Sequence, residues 1–153
     1  MRILTAIALS LVGAVAANAP AADVAPGWIY GIYAKRVSIC FSDASSKTGR
    51  RCEGDALSHV LIAPVPSSEV RVELSIVQGP EVECTARAFG RWEGNRLVAT
   101  HTSQNPGTNT CRFAIDFRDK QILITDLDPP CRPIICSRRG QIDGVTLPKR
   151  GSF

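Results

Sequence analysis

A chain of 153 residues carrying a net charge of +4 and six cysteines has room for one domain around a single core. The length excludes multi-domain readings. So mild a basic excess favours anionic partners only weakly.

The first element is an uncharged apolar run at residues 3–17 (ILTAIALSLVGAVAA) behind Arg2, followed by small residues at Ala17, Ala19, Ala21 and Ala22. That is the layout of a secretory signal peptide. A membrane span needs about 20 apolar residues, and no second apolar stretch follows. The expected organisation is a leader over 1–19, cut somewhere between 17 and 22, and one β domain over 20–153. No cysteine precedes Cys40, so a lipid anchor beside the leader is not expected, and the protein should be free in the periplasm or secreted.

From Trp28 to Leu127 the chain reads as short alternating segments separated by turns. Between Cys40 and Cys52 the polar stretch FSDASSKTGRR reads as a surface loop. Val70, Val72, Leu74 and Ile76 alternate with Arg71, Glu73 and Ser75, the period-two signature of a half-buried strand. Val82, Cys84, Ala86 and Ala88 repeat the pattern, and Cys111, Phe113, Ile115 and Phe117 repeat it again. Gly94-Asn95 and Asp119-Lys120 are two-residue turns that suit tight hairpins, because Gly, Asn and Asp tolerate positive φ. Ten prolines and the lack of helical periodicity make the class all-β. Seven or eight strands predict a small antiparallel barrel, with a β-sandwich as the alternative.

The stretch from Cys131 to Gly144, CRPIICSRRGQIDG, holds two cysteines, paired arginines and two glycines. An even cysteine count in an exported chain points to disulfides. Cys40 with Cys52 is the local closure. Cys131 and Cys136 either pair with each other or clamp the tail to Cys84 and Cys111. Geometry favours the clamp: strands separated by a neighbour lie about 9 to 10 Å apart, and bridged Cα atoms need about 7 Å or less, so Cys84 and Cys111 do not suit each other. A zinc site would show two repeated Cys-x2-4-Cys pairs, and here there is one x4 pair. No metal or cofactor is expected.

Chemistry is sparse. His59 and His101 have no nucleophile in a known motif beside them and read as structural or surface residues. Asp126-Leu127-Asp128 offers too few oxygens for calcium and reads as the solvated end of a strand. A carboxylate pair of glycosidase type remains open on counting alone. The arginine clusters Arg50-Arg51 and Arg138-Arg139 stand beside cysteines, where stapled loops would lose little entropy on binding an anion or a partner. Their bland reading, like that of Lys149-Arg150, is solubility. Nucleic acid is a poor candidate without aromatic interleaving. Phe153 ends a stretch that does not alternate as a lipid-facing strand would, so membrane insertion is not expected.

Cys131, Cys136, Gly140, Asp143-Gly144 and Leu147 together make a tail that resembles the ending of small exported bacterial proteins with lysozyme-inhibitor-like β-barrels, although Ser137 stands where that group has glycine. The resemblance implies a barrel fold, an envelope compartment and, by extension, a lysozyme-like hydrolase as partner. Charge opposes the last step, since common lysozymes are basic too. The expectation is a monomeric, non-catalytic binding protein of the cell envelope, with an envelope polymer or protein as partner. An inhibitor of a secreted hydrolase and a small carboxylate-dependent hydrolase are the alternatives.

Overall fold

The computed structural model describes residues 24–104, 109–137 and 139–153. The leader expected over 1–19 and Arg138 lie outside these residues. Eight strands are described, and each pairs antiparallel with its sequence neighbours: β1 (Gly31–Ser42), β2 (Arg50–Pro64), β3 (Val70–Gly79), β4 (Val82–Glu93), β5 (Arg96–Thr102), β6 (Thr110–Arg118), β7 (Gln121–Asp126) and β8 (Thr146–Gly151). β8 pairs back onto β1, so the sheet is a closed barrel rather than a sandwich.

The alternation of β3, β4 and β6 supplies the interior. Val70, Val72, Leu74, Ile76, Cys84, Ala86, Ala88, Cys111, Phe113 and Ile115 are all buried. Phe117 is the exception to its strand's pattern, because it stands at the barrel rim and stays half exposed. With Val60, Ile62, Leu97, Ile122, Ile124 and Leu147 also at 1% exposure or less, side chains fill the lumen. Each fully buried branched or aromatic side chain is worth about 1.5–3 kcal/mol relative to exposure. The two hairpin turns form as the sequence predicts, with Gly94 at φ +64° and Asp119 at φ +49°.

Closure depends on a glycine. Gly31 sits at φ +145°, and a Cβ there would collide with the Gly151 carbonyl oxygen of β8. Lys149 Nζ donates to the Trp28 carbonyl at 2.6 Å, and Arg150 Nε donates to the Ala34 carbonyl at 3.1 Å. The cations at the end of the chain therefore fasten the seam. At this end of the barrel Trp28 packs edge-on against Trp92 and Phe117, with ring centroids 6.2 and 5.4 Å away.

The opposite end is covered by the tail. A strap over residues 131–144 begins with a single helical turn, α1 (Arg132–Ile135), and buries Ile135 and Ile142. Two disulfides bolt this strap down, Cys84–Cys136 and Cys111–Cys131, and the third is Cys40–Cys52. The clamp geometry is the one realised. Three disulfides mark an oxidising compartment. No helix among the described residues is long and apolar enough to cross a membrane.

Two expectations are corrected here. FSDASSKTGRR is not a loop throughout: Phe41 and Ser42 end β1, Arg50 and Arg51 begin β2, and they pair as Phe41↔Arg51 and Ser42↔Arg50. Beyond Lys35 and Ser58 these two strands pair only with each other, forming a solvated ribbon past the barrel end, clasped by Cys40–Cys52. Asp126 is not a solvated strand end either. Its carboxylate accepts from the Cys131 and Arg132 backbone N–H groups at 2.7 and 3.3 Å, so it holds the start of α1.

Candidate functional site

Because the lumen is filled with apolar side chains, chemistry can only sit on the outside. Outward residues of neighbouring strands line up in rows about 4.8 Å apart per strand. One row crosses four strands: Arg71 on β3 lies opposite Phe89 on β4, Phe89 opposite Thr100 on β5, and Thr100 opposite Arg112 on β6. Phe89 is 53% exposed, a large aromatic face presented to water between two guanidinium groups.

Phe89 forms a ridge with a groove on each side. The larger groove, about 820 Å³, is lined by His59, Arg71, Glu73, Arg87, Phe89 and His101 among others. The smaller, about 400 Å³, is lined by Glu69, Phe89, Arg91, Thr100 and Arg112 among others. Glu73 stands 3.7 Å from the Nε atoms of both Arg71 and Arg87, and Glu69 stands 3.2 Å from Arg91. Pairs this exposed contribute roughly 0–1 kcal/mol each, so their main effect is to orient the guanidinium forks.

Both histidines line the larger groove, although they come from β2 and β5. His101 Nδ1 is 2.8 Å from the Arg87 carbonyl oxygen, which can only accept, so that nitrogen carries the proton. His59 Nδ1 is buried and has no hydrogen-bond partner. Glu73 is the one carboxylate among the residues lining this groove.

Of the arginines expected from sequence to meet an anion or partner, the described ones, Arg50, Arg51 and Arg139, are not brought together. Arg50 and Arg51 sit at the far end of the ribbon, and Arg51 pairs with Glu53. Arg139 lies at the barrel end, between a groove formed with Pro80, Glu81, Val82 and Ser137 and a second one at the base of the ribbon. The ribbon strand from Lys35 to Ser42 separates the two groups by roughly 23 Å. No local sequence pattern marks Phe89, Arg71, Thr100 and Arg112 as one site. Arg71 and Arg87 are visible in the sequence as polar-face positions, but the row forms only once the register of four strands is known.

Comparison with known protein families, with curated proteins and with solved structures finds no match for this chain. The reading of the site therefore rests on its geometry.

Proposed function

We propose that the protein is an exported, non-catalytic binding protein of the cell envelope, and that its binding face is the Phe89 ridge with its two grooves. The observation that carries this reading is the in-register row Arg71–Phe89–Thr100–Arg112 on a barrel whose interior offers no site. An exposed aromatic flanked by guanidinium forks and a hydroxyl suits an extended anionic polymer such as an envelope polysaccharide, whose rings stack on the aromatic while its carboxylates or phosphates meet the arginines. The periplasmic or secreted location is supported by the leader-like segment and by the three disulfides. Charged residues on the outer rows and an apolar interior are the reverse of a lipid-facing barrel, which supports a protein outside the bilayer. A carboxylate pair of hydrolase type needs two carboxyl groups about 5–10 Å apart; the larger groove supplies Glu73 alone, tied to two arginines, and the smaller is lined by Glu69, tied to Arg91, and by Glu93.

The test is co-sedimentation of the purified protein with peptidoglycan sacculi and, separately, with lipopolysaccharide. Binding to one of them should fall about tenfold or more in Phe89→Ala and in the Arg71→Gln/Arg112→Gln double variant, with unchanged circular dichroism. Absence of binding to both, or binding indifferent to these substitutions, rejects the reading.

One observation favours inhibition of a secreted hydrolase as a second reading. The disulfide-clasped ribbon projects past the barrel and could enter a cleft. Lysozyme turbidity assays at excess protein decide it: undiminished lysis removes that target.

A further inference from the structure

At the barrel end that carries both the ribbon and the tail strap, a groove of about 590 Å³ runs between β1, the end of β3 and the strap. Its lining mixes the apolar Val37, Val77 and Val145 with the polar Ser58, Gln78, Gln141 and Thr146, and its cations are Lys35 and Arg139. No aspartate or glutamate among the described residues lines it. Among the described residues the side chains of Lys35 and Arg139 make no ion pair and no hydrogen bond, unlike Arg71, Arg87, Arg91, Arg51 and Arg150. Two unpaired cations in a groove that opens onto the apolar side chains of β1 suit an anionic head joined to an alkyl chain.

The walls are fixed in advance. Gln78 Nε2 donates to the Gln141 carbonyl at 2.7 Å, and the Gln141 N–H donates to Gln78 Oε1 at 3.0 Å, tying β3 to the strap. Cys84–Cys136 holds the strap from the other side. A ligand entering this groove would meet a pre-organised site and lose less free energy to ordering it.

The groove also has a continuation. The irregularity in the β1–β2 register lies between Ser38 and Cys40, where two residues of β2, Glu53 and Gly54, face one of β1, so β1 alternates without interruption. Lys35, Val37, Ile39 and Phe41 therefore share one face. Val37 and Ile39 are half-buried, and Phe41 is 41% exposed. From Val37 to Phe41 this apolar stripe runs about 13 Å, the reach of an alkyl chain on the order of a dozen carbons.

We propose that this groove is a second binding site, distinct from the Phe89 ridge, for a single-chain anionic amphiphile. The phosphate or carboxylate head sits between Lys35 and Arg139, and the alkyl chain lies along Val37, Ile39 and Phe41. A chain resting on one face of a ribbon is about half covered, so each methylene contributes roughly a twofold gain in affinity.

Isothermal titration calorimetry of the purified, disulfide-intact protein tests this, using dodecyl phosphate below its micelle concentration. One molecule should bind per chain. Octyl phosphate should bind more than tenfold weaker. Inorganic phosphate, the head alone, and dodecyl maltoside, the same chain without charge, should each show no saturable binding. Lys35→Gln and Arg139→Gln should each weaken dodecyl phosphate about tenfold, and Phe41→Ser several-fold, while Phe89→Ala leaves it unchanged. All four positions are exposed and spare the core, and near-ultraviolet circular dichroism checks the fold. Equal binding of dodecyl maltoside, equal binding of inorganic phosphate, binding unaffected by both charge substitutions, or no binding of dodecyl phosphate overturns the proposal. Because Phe89 is outside this groove, its failure leaves the polymer-binding reading standing, and the converse holds as well.

Discussion

Ser58 Oγ donates to the Val77 carbonyl oxygen at 3.0 Å and accepts from the Val77 N–H at 2.9 Å, so one side chain takes the place of a backbone residue in the β2–β3 ladder. It does so where β2 peels away from β3 to become the ribbon, one residue beyond the last ladder pair, His59↔Ser75. Ser58 is 2% exposed.

Ser58→Ala leaves both Val77 groups without their partner in a buried position. A loss of about 1–3 kcal/mol is expected from urea unfolding. Ser58→Thr keeps the hydroxyl and should recover part of it. Equal losses for the two variants would show that the hydroxyl is not what matters.

Gly140 lies against a disulfide: a Cβ on it would be 2.8 Å from Cys84 Sγ and 3.1 Å from Cys136 Cβ. Gly140→Ala should therefore cost about 1–3 kcal/mol, as overpacking does. The cost should shrink markedly in a Cys84→Ala/Cys136→Ala background, where the sulfur is gone. A double-mutant cycle measures this coupling, and strict additivity would argue against the contact.

The strap bridge and the ribbon clasp should differ in their effect on the fold. Cys84–Cys136 joins residues 52 apart in sequence, and chain entropy assigns it about 4 kcal/mol. Cys40–Cys52 joins residues 12 apart, for about 3 kcal/mol, and it constrains only the solvated ribbon. Thermal unfolding should show a large loss of Tm for Cys84→Ala/Cys136→Ala. For Cys40→Ala/Cys52→Ala the barrel Tm should move little, while amide exchange quickens in the ribbon.

Burial pushes the Tyr33 phenol up to about 12 from its ordinary 10.0. The folded state thus keeps a proton that the unfolded chain releases near pH 10. The stability contributed by this group is whole below pH 10 and is lost as pH rises from 10 towards 12. Tyr33→Phe also loses the bond from its hydroxyl to the Ile29 carbonyl, 2.9 Å long. The variant should be less stable at pH 7 and its stability flatter between pH 10 and 12, as followed by denaturant unfolding across that range.

The sequence shows the barrel body where one face of a strand is buried and the other is wet. β3, β4 and β6 are legible for that reason, as are the hairpins at Gly94-Asn95 and Asp119-Lys120. The ribbon is not, because beyond Lys35 and Ser58 most of its side chains meet water on both faces, and alternation loses its contrast. Strand spacing argues against joining Cys84 to Cys111 and so favours the tail clamps, but the pairing of Cys84 with Cys136 and of Cys111 with Cys131 is set by the fold. The Phe89 row is not legible, since Arg71 and Arg112 are 41 positions apart in the sequence and fall in one row with Phe89 only through three successive registers. The roles of Asp126 and Ser137 are likewise set by tertiary contacts. Ser137 Oγ donates to the Glu81 carbonyl and accepts from the Glu83 N–H, docking the strap on the β3–β4 turn, which no local pattern announces.

The seam between Gly31 and Gly151 joins the first strand to the last. Until β8 docks, the sheet of β1 to β7 is open, and its two raw edges, β1 and β7, can pair with those of other copies. Shortening the chain before Thr146 would make that transient hazard permanent.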